Sequence, residues 1–283
     1  MRFAGLSLLL LVALLGFAQT QVFVCPMDPD VRSSVPGKCP RCGMTLVAQL
    51  PEPVEYRMLF KADPPQIPAN QNVTLFFRIL DPATSAPVTR FTEVHERLFH
   101  LFLVSYDLTY FSHEHPVWMP DGWFQLETRL PQPGTYRLLA DFDPDGGTPQ
   151  LVAKTFSTAG FIAPLETSIA RPAPDLSAKT ASNMTVEMRT EPAQSIAGKK
   201  TMLFLHITPA EGLEKYIGAW AHMLAVSSDL IDTIHTHPFD ADGGPDMQFN
   251  VIFPRAGNYR LWIQLQRKGV VNTVSFTVPV GEL

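Results

Sequence analysis

The chain has only three cysteines, Cys25, Cys39 and Cys42, and all fall in one short segment. An odd count in one tight group is not a disulfide framework. Charged residues are also scarce, at 17% against 46% hydrophobic, which excludes disorder over most of the chain. The net charge of −5 argues against nucleic acid as a partner. Helix-like apolar periodicity is rare, and 26 prolines interrupt the chain, so short strands and turns are expected. No hydrolase signature, nucleotide-binding loop or Ser-His-Asp arrangement is evident, and the chain is read as a binding protein rather than an enzyme.

Only one apolar run is long enough to matter for a membrane. It lies in residues 1–18, MRFAGLSLLLLVALLGFA, where Arg2 precedes the run Leu6–Leu15 and Gly16 and Ala18 supply small residues for cleavage. This is the pattern of a secretory signal peptide. The alternative, a retained anchor, is disfavoured because the run is short for a span. Lipid modification at Cys25 is disfavoured by the bulky Val24 before it. The mature protein is therefore expected to be periplasmic or secreted, and not an integral membrane protein.

Residues 22–48 hold the cysteines. Cys39-Pro-Arg-Cys42-Gly43 is a knuckle turn, in which two thiolates two residues apart can grip one metal ion and glycine tolerates the required backbone. Cys25 adds a third sulfur. So short a segment cannot build its own core, and a metal would be its staple. The stretch resembles the heavy-metal-binding domain of bacterial copper-transporting ATPases and of periplasmic adaptor subunits of metal efflux systems. The likeness runs through Phe23, Cys25, Pro26, Met27 and Pro29, then Pro36, Gly37, Cys39, Pro40, Cys42, Gly43, Met44 and Leu46. It implies a metal site and a link to an efflux or envelope complex. Where that family has histidine after Cys-Pro-Met, this chain has Asp28. A carboxylate there suits zinc, whereas copper(I) would turn to the sulfurs of Met27 or Met44.

The rest of the chain is duplicated. His100, Asp107, His113, His115 and Pro116 map onto His222, Asp229, His235, His237 and Pro238 at a constant offset of 122. Gly134, Tyr136, Arg137 and Leu138 map onto Gly257, Tyr259, Arg260 and Leu261 at an offset of 123. Each copy shows about seven strand-like segments with turn signals between them. The reading is mainly β: two tandem immunoglobulin-like β-sandwiches, at residues 56–158 and 183–283, joined by a linker over 159–182. Gly-x-Tyr-Arg-Leu resembles the tyrosine corner of such sandwiches.

Six of the eight histidines lie in the two copied segments. Each segment reads as a β-hairpin. A hairpin centred between Tyr106 and Asp107 sets His100 directly opposite His113, and His115 shares their face. The second copy does the same for His222, His235 and His237. Phe102, Val104 and Phe111 accompany the first triple, and Leu224 and Val226 the second. The histidines are therefore expected on the core side of each sandwich, at its rim, as two separate clusters. Three imidazoles there could bind copper(II) or zinc, or could hydrogen-bond loop carbonyls. His95 and His206 lack counterparts and read as structural or surface residues. Asp141–Asp145 reads as a turn rather than a calcium loop.

Three functions fit: an exported copper- or zinc-binding protein for buffering, delivery or resistance; a non-catalytic envelope adaptor with a structural zinc knuckle; and, most weakly, a copper oxidase or monooxygenase.

Overall fold

The computed structural model describes residues 22–28, 31–48, 54–164 and 171–282, so the signal-peptide segment 1–18 lies outside the described residues. Among the described residues no helix is long and apolar enough to cross a membrane.

The N-terminal unit is small. Strands β1 (Phe23–Val24) and β2 (Arg32–Ser33) pair antiparallel. Single bridges join Val24 to Val47 and Lys38 to Thr45. Its interior is little more than Cys25, Cys39, Cys42 and Leu46, with Phe23, Met27, Val31 and Met44 packed around them.

Repeat 1 comprises β3 (Arg57–Asp63), β4 (Asn72–Leu80), β5 (Phe99–Ser105), β6 (Phe111–Glu114), β7 (Val117–Trp118), β8 (Phe124–Arg129), β9 (Thr135–Phe142) and β10 (Gln150–Ser157). One sheet runs β3-β4-β8-β7 and the other β10-β9-β5-β6. Repeat 2 comprises β11 (Lys179–Thr180), β12 (Thr185–Glu191), β13 (Ser195–Ile196), β14 (Lys200–Thr208), β15 (Leu213–Glu214), β16 (His222–Ser227), β17 (Thr233–Thr236), β18 (Asp246–Ile252), β19 (Gly257–Arg267) and β20 (Val270–Gly281). Its sheets run β11-β12-β14-β18 and β13-β20-β19-β16-β17, with β15 beside β19. These are two immunoglobulin-like sandwiches with more strands than the sequence reading counted, because short edge strands carry little pattern. Both tyrosine corners are present: the Tyr136 hydroxyl donates to Gln132 O at 2.7 Å, and the Tyr259 hydroxyl accepts from Arg255 N at 3.2 Å.

The central strands are buried on both faces. In β5, Phe99, Leu101 and Leu103 enter the core of repeat 1. Phe102 and Val104, from the other face, meet Leu224, Val226 and Trp262 of repeat 2 in a separate apolar seam. In β16, Met223 and Ala225 enter the core of repeat 2, while Leu224 and Val226 face the seam. The β10-β9-β5-β6 sheet of one repeat is thus packed against its counterpart in the other. Phe111 stacks on Trp262 with ring centroids 5.0 Å apart. Burial of each such large side chain contributes roughly 1.5–3 kcal/mol.

The histidines lie on this seam face. The expectation that they face the core of their own sandwich is wrong. The parity was right, but the face it selects is covered by the other repeat.

A Val226→Asp variant places an unpaired charge in the seam, which costs several kcal/mol. The repeats have independent cores, so they should part while keeping their sheets. Small-angle scattering should show a larger radius of gyration, and far-UV circular dichroism should be retained. An unchanged radius would contradict the seam.

Candidate metal centres

Each histidine hairpin is fixed by its turn. Asp107 Oδ1 accepts from Ser105 Oγ at 2.5 Å, Thr109 N at 3.1 Å and Thr109 Oγ1 at 2.8 Å. Asp229 Oδ1 accepts from Ser227 Oγ at 2.5 Å and Ile231 N at 3.1 Å. Leu108 and Leu230 follow in the left-handed region, each at φ 57°. The turn therefore centres one residue later than expected. His113 pairs with Phe102, not His100, and His235 pairs with Leu224, not His222. A slip of two residues leaves every side chain on its face, so the triads survive the error.

In repeat 1, His100 Nδ1 lies 3.0 Å from His113 Nε2. His100 Nε2 donates to Val94 O at 3.0 Å, which fixes Nδ1 as a lone pair. His113 Nδ1 donates to Gln264 Oε1 at 2.8 Å, which leaves Nε2 a lone pair too. With the Gln264 carbonyl oxygen turned to His113, two lone pairs face each other at 3.0 Å. His115 Nε2 is buried beside them without a partner.

Repeat 2 uses the matching residues but pairs His222 with His237, where repeat 1 pairs His100 with His113. His222 Nε2 donates to Tyr216 O at 2.8 Å, and its Nδ1 faces His237 Nε2 at 3.0 Å. His235 Nδ1 donates to Asp141 Oδ2 at 2.5 Å, leaving His235 Nε2 buried and unpartnered. His237 Nδ1 is unpartnered as well. Within each triad the three ligand nitrogens lie within 4.8 Å of one another.

These donor sets fit a metal ion. Two nitrogens bound to one zinc at about 2.0–2.1 Å sit roughly 3.3 Å apart in tetrahedral geometry, close to the spacing here. The orphaned ring nitrogens are groups that burial penalises unless something binds them. Burial, reinforced by neighbouring rings, pushes His115 down to about 3 and His100 to about 4, and His113, His222 and His237 well below the ordinary value. Those five rings are neutral at neutral pH, as ligands must be.

The two triads are not remote from each other. Ring centroids of His113 and His222 are 5.5 Å apart, and those of His100 and His235 are 5.6 Å apart. Two outer positions come from the opposite repeat: Gln264 of β19 holds His113, and Asp141 of β9 holds His235. His95 joins them. It is buried, its ring lies 3.7 Å from that of His237, and its Nε2 has no partner. Burial pushes it down to about 3.

His95, Asp141 and Gln264 were missed in the sequence. His95 had been read as structural or surface, and Asp141 as part of a turn. The signal available for Asp141 was its offset of 123 from Gln264, the same as for the tyrosine corners. His206 is exposed, on Asp246 at 2.8 Å, as expected. Met223 faces its own core. Met119 sits in the turn between β7 and β8.

The cysteines form a third centre. Cys25 Sγ lies 3.4 Å from Cys42 Sγ, and Asp28 Oδ2 lies 3.8 Å from Cys25 Sγ and 3.6 Å from Cys39 Sγ. Gly43, at φ 77°, lets the chain turn so that Cys39 N reaches Met44 O. Asp28 points its other oxygen at Arg41 Nη1, 2.7 Å away. Burial raises the Asp28 carboxyl, and Arg41 opposes that. Contacts with the thiols of Cys25 and Cys42 pull Cys39 down, while contacts with Cys25 and Cys39 push Cys42 up. Met27 and Met44 pack against the cluster, half-buried. Four donors of this kind suit a thiophilic ion.

The knuckle is docked beside the histidines. Arg41 lies over the Phe239 ring at 5.0 Å. A cavity of about 430 Å³ is lined by Pro40 and Arg41 on one side and by Trp220, His237 and Phe239 on the other.

Arg41→Gln removes the cation that offsets the effect of burial on Asp28. It should weaken metal binding at the knuckle by about tenfold, judged by chelator competition, and leave the histidine triads unchanged. Unchanged knuckle affinity would remove Asp28 from the ligand set.

The model described as Heavy metal binding domain matches residues 22–49. The model described as Domain of unknown function (DUF8832) matches residues 54–160 and again 179–282. No curated protein sequence matches the chain. Among solved structures, the chain is similar to fibronectin(III)-like modules of Clostridium thermocellum CbhA, at 9% identity and TM-score 0.23, covering 79% of this chain and 95% of that one. It is also similar to a segment of two fibronectin type III domains from chicken tenascin, at 11% identity and TM-score 0.22, covering 80% and 98%. These scores carry no functional argument. With one copy of the model on each sandwich, together spanning most of the chain, the protein belongs to the DUF8832 family and carries a heavy-metal-binding domain ahead of the two copies.

Proposed function

We propose that this is an exported heavy-metal-binding protein, for copper or zinc, that buffers or delivers its ion or confers resistance to it. The observation that carries this reading is the face-to-face pair of lone pairs on His100 and His113, each fixed by a hydrogen bond on its other nitrogen. A cation bound between them satisfies both. The chain would then hold one ion at Cys25, Asp28, Cys39 and Cys42, with Met27 and Met44 as further sulfur donors for copper(I), and one at each histidine triad.

Export rests on the residue pattern of 1–18, and a metal efflux or envelope complex is the natural partner of a heavy-metal-binding domain carried on two sandwiches. Binding rather than catalysis fits donor sets that are largely buried. A second reading, an adaptor with a structural zinc knuckle, is favoured by one contact, Arg41 over Phe239, which ties the knuckle to repeat 2.

Elemental analysis separates the two. Mature protein dialysed against saturating copper or zinc should hold three equivalents. The variant His113→Ala, His115→Ala, His235→Ala, His237→Ala should hold one, and Cys39→Ser, Cys42→Ser should hold two. A single equivalent in the wild type, insensitive to the histidine changes, would leave the adaptor reading.

A further inference from the structure

The two triads are related by duplication, yet their outer hydrogen-bond partners differ in charge. Asp141 and Gln264 occupy matching positions. Asp141 lies opposite His100 across β5 and β9, and Gln264 lies opposite His222 across β16 and β19. Each reaches into the other repeat: Asp141 Oδ2 accepts from His235 Nδ1 at 2.5 Å, and Gln264 Oε1 accepts from His113 Nδ1 at 2.8 Å. Both are buried. The outer positions match and their chemistry does not, because one acceptor is a carboxylate and the other an amide.

We propose that Asp141 makes the triads unequal: His222, His235 and His237 bind one divalent ion tightly, whereas His100, His113 and His115 take a second divalent ion far more weakly. The proposal rests on the reading of both triads as metal sites.

Three effects point the same way. A carboxylate on the far nitrogen raises the basicity of the ligating nitrogen, and a neutral amide does so much less. A dication among three neutral imidazoles carries its full charge into the seam, where burial makes uncompensated charge expensive. Asp141 cancels half of it, and its direct bond goes to His235. Finally, once a dication occupies the repeat 2 triad, that anion is spent. The triad of repeat 1, with rings only 5.5–5.6 Å from those of the other, then meets net positive charge.

The other charges near the cluster do not restore the balance. The His95 ring is neutral, held down mainly by burial. Asp143, next along from β9, turns its side chain to Thr92 rather than to a histidine. A monovalent ion lacks most of this penalty, so copper(I) should discriminate between the triads less than zinc does.

The test is a zinc titration of the full-length chain carrying Cys39→Ser and Cys42→Ser, in competition with a chromophoric chelator. Two steps at least tenfold apart are expected, and His222→Ala should remove the tighter one. Asp141→Asn keeps the shape and the acceptor while removing the charge. It should weaken the tight step by about 10- to 100-fold for zinc and much less for copper(I). Gln264→Glu supplies the missing anion and should tighten the weak step by tenfold or more. Equal steps in the parent protein, or an Asp141→Asn effect shared by both steps, or equal losses for zinc and copper(I), would overturn the proposal. If neither triad binds zinc while the wild-type knuckle does, the metal-site reading itself fails and this proposal fails with it.

Discussion

Everything at the candidate centre depends on one packing event, the docking of two like sheets through a face that each sandwich would otherwise expose. Phe102, Val104 and Leu139 from one repeat and Leu224, Val226 and Trp262 from the other close that seam. It does two things at once. It buries the imidazoles, and it brings to each triad a hydrogen-bond acceptor from the other repeat. Neither sandwich alone would contain a complete centre, since His113 needs Gln264 and His235 needs Asp141. The duplication is therefore more than a doubling of copies. The two repeats act as the halves of one internal dimer, and the metal chemistry belongs to the interface.

Much of this was legible in the residues. The repeat, the all-β architecture, the tyrosine corners and the shared face of each triad all followed from spacing and parity. What failed was the identity of the surface covering that face. Alternation shows which side chains go together, but it does not say whether another layer of the same domain or a second domain buries them. A clue was present in β5, Phe99–Ser105, where both alternating sets are apolar apart from His100 and the terminal Ser105. Strands of that kind are buried on both sides. The register slipped for a local reason: Asp107 and Asp229 organise the turn through their side chains, and leucine at positive φ is not something composition announces. Asp141 was hidden by its acidic neighbours, which made it look like part of a turn. His95 was hidden because it has no counterpart in the repeat.

The sulfur centre and the nitrogen centres are of different chemical character and lie side by side. Three thiols and a carboxylate favour thiophilic ions, while neutral imidazoles favour borderline ones. The cavity lined by Arg41 and His237 sets the knuckle against the repeat that carries the triad with the carboxylate. The donor sets of the chain therefore differ in the ions they would suit.

The most direct test of the account is a crystal structure of the metal-loaded protein, with anomalous difference maps collected at the absorption edge of the bound ion. The account predicts peaks at the cysteine knuckle and within each triad. One of them should be bonded to both His100 Nδ1 and His113 Nε2, with Val94 O and Gln264 still holding the outer nitrogens. Maps with a peak at the cysteines alone, and a hydrogen bond in place of metal between those two histidines, would contradict it.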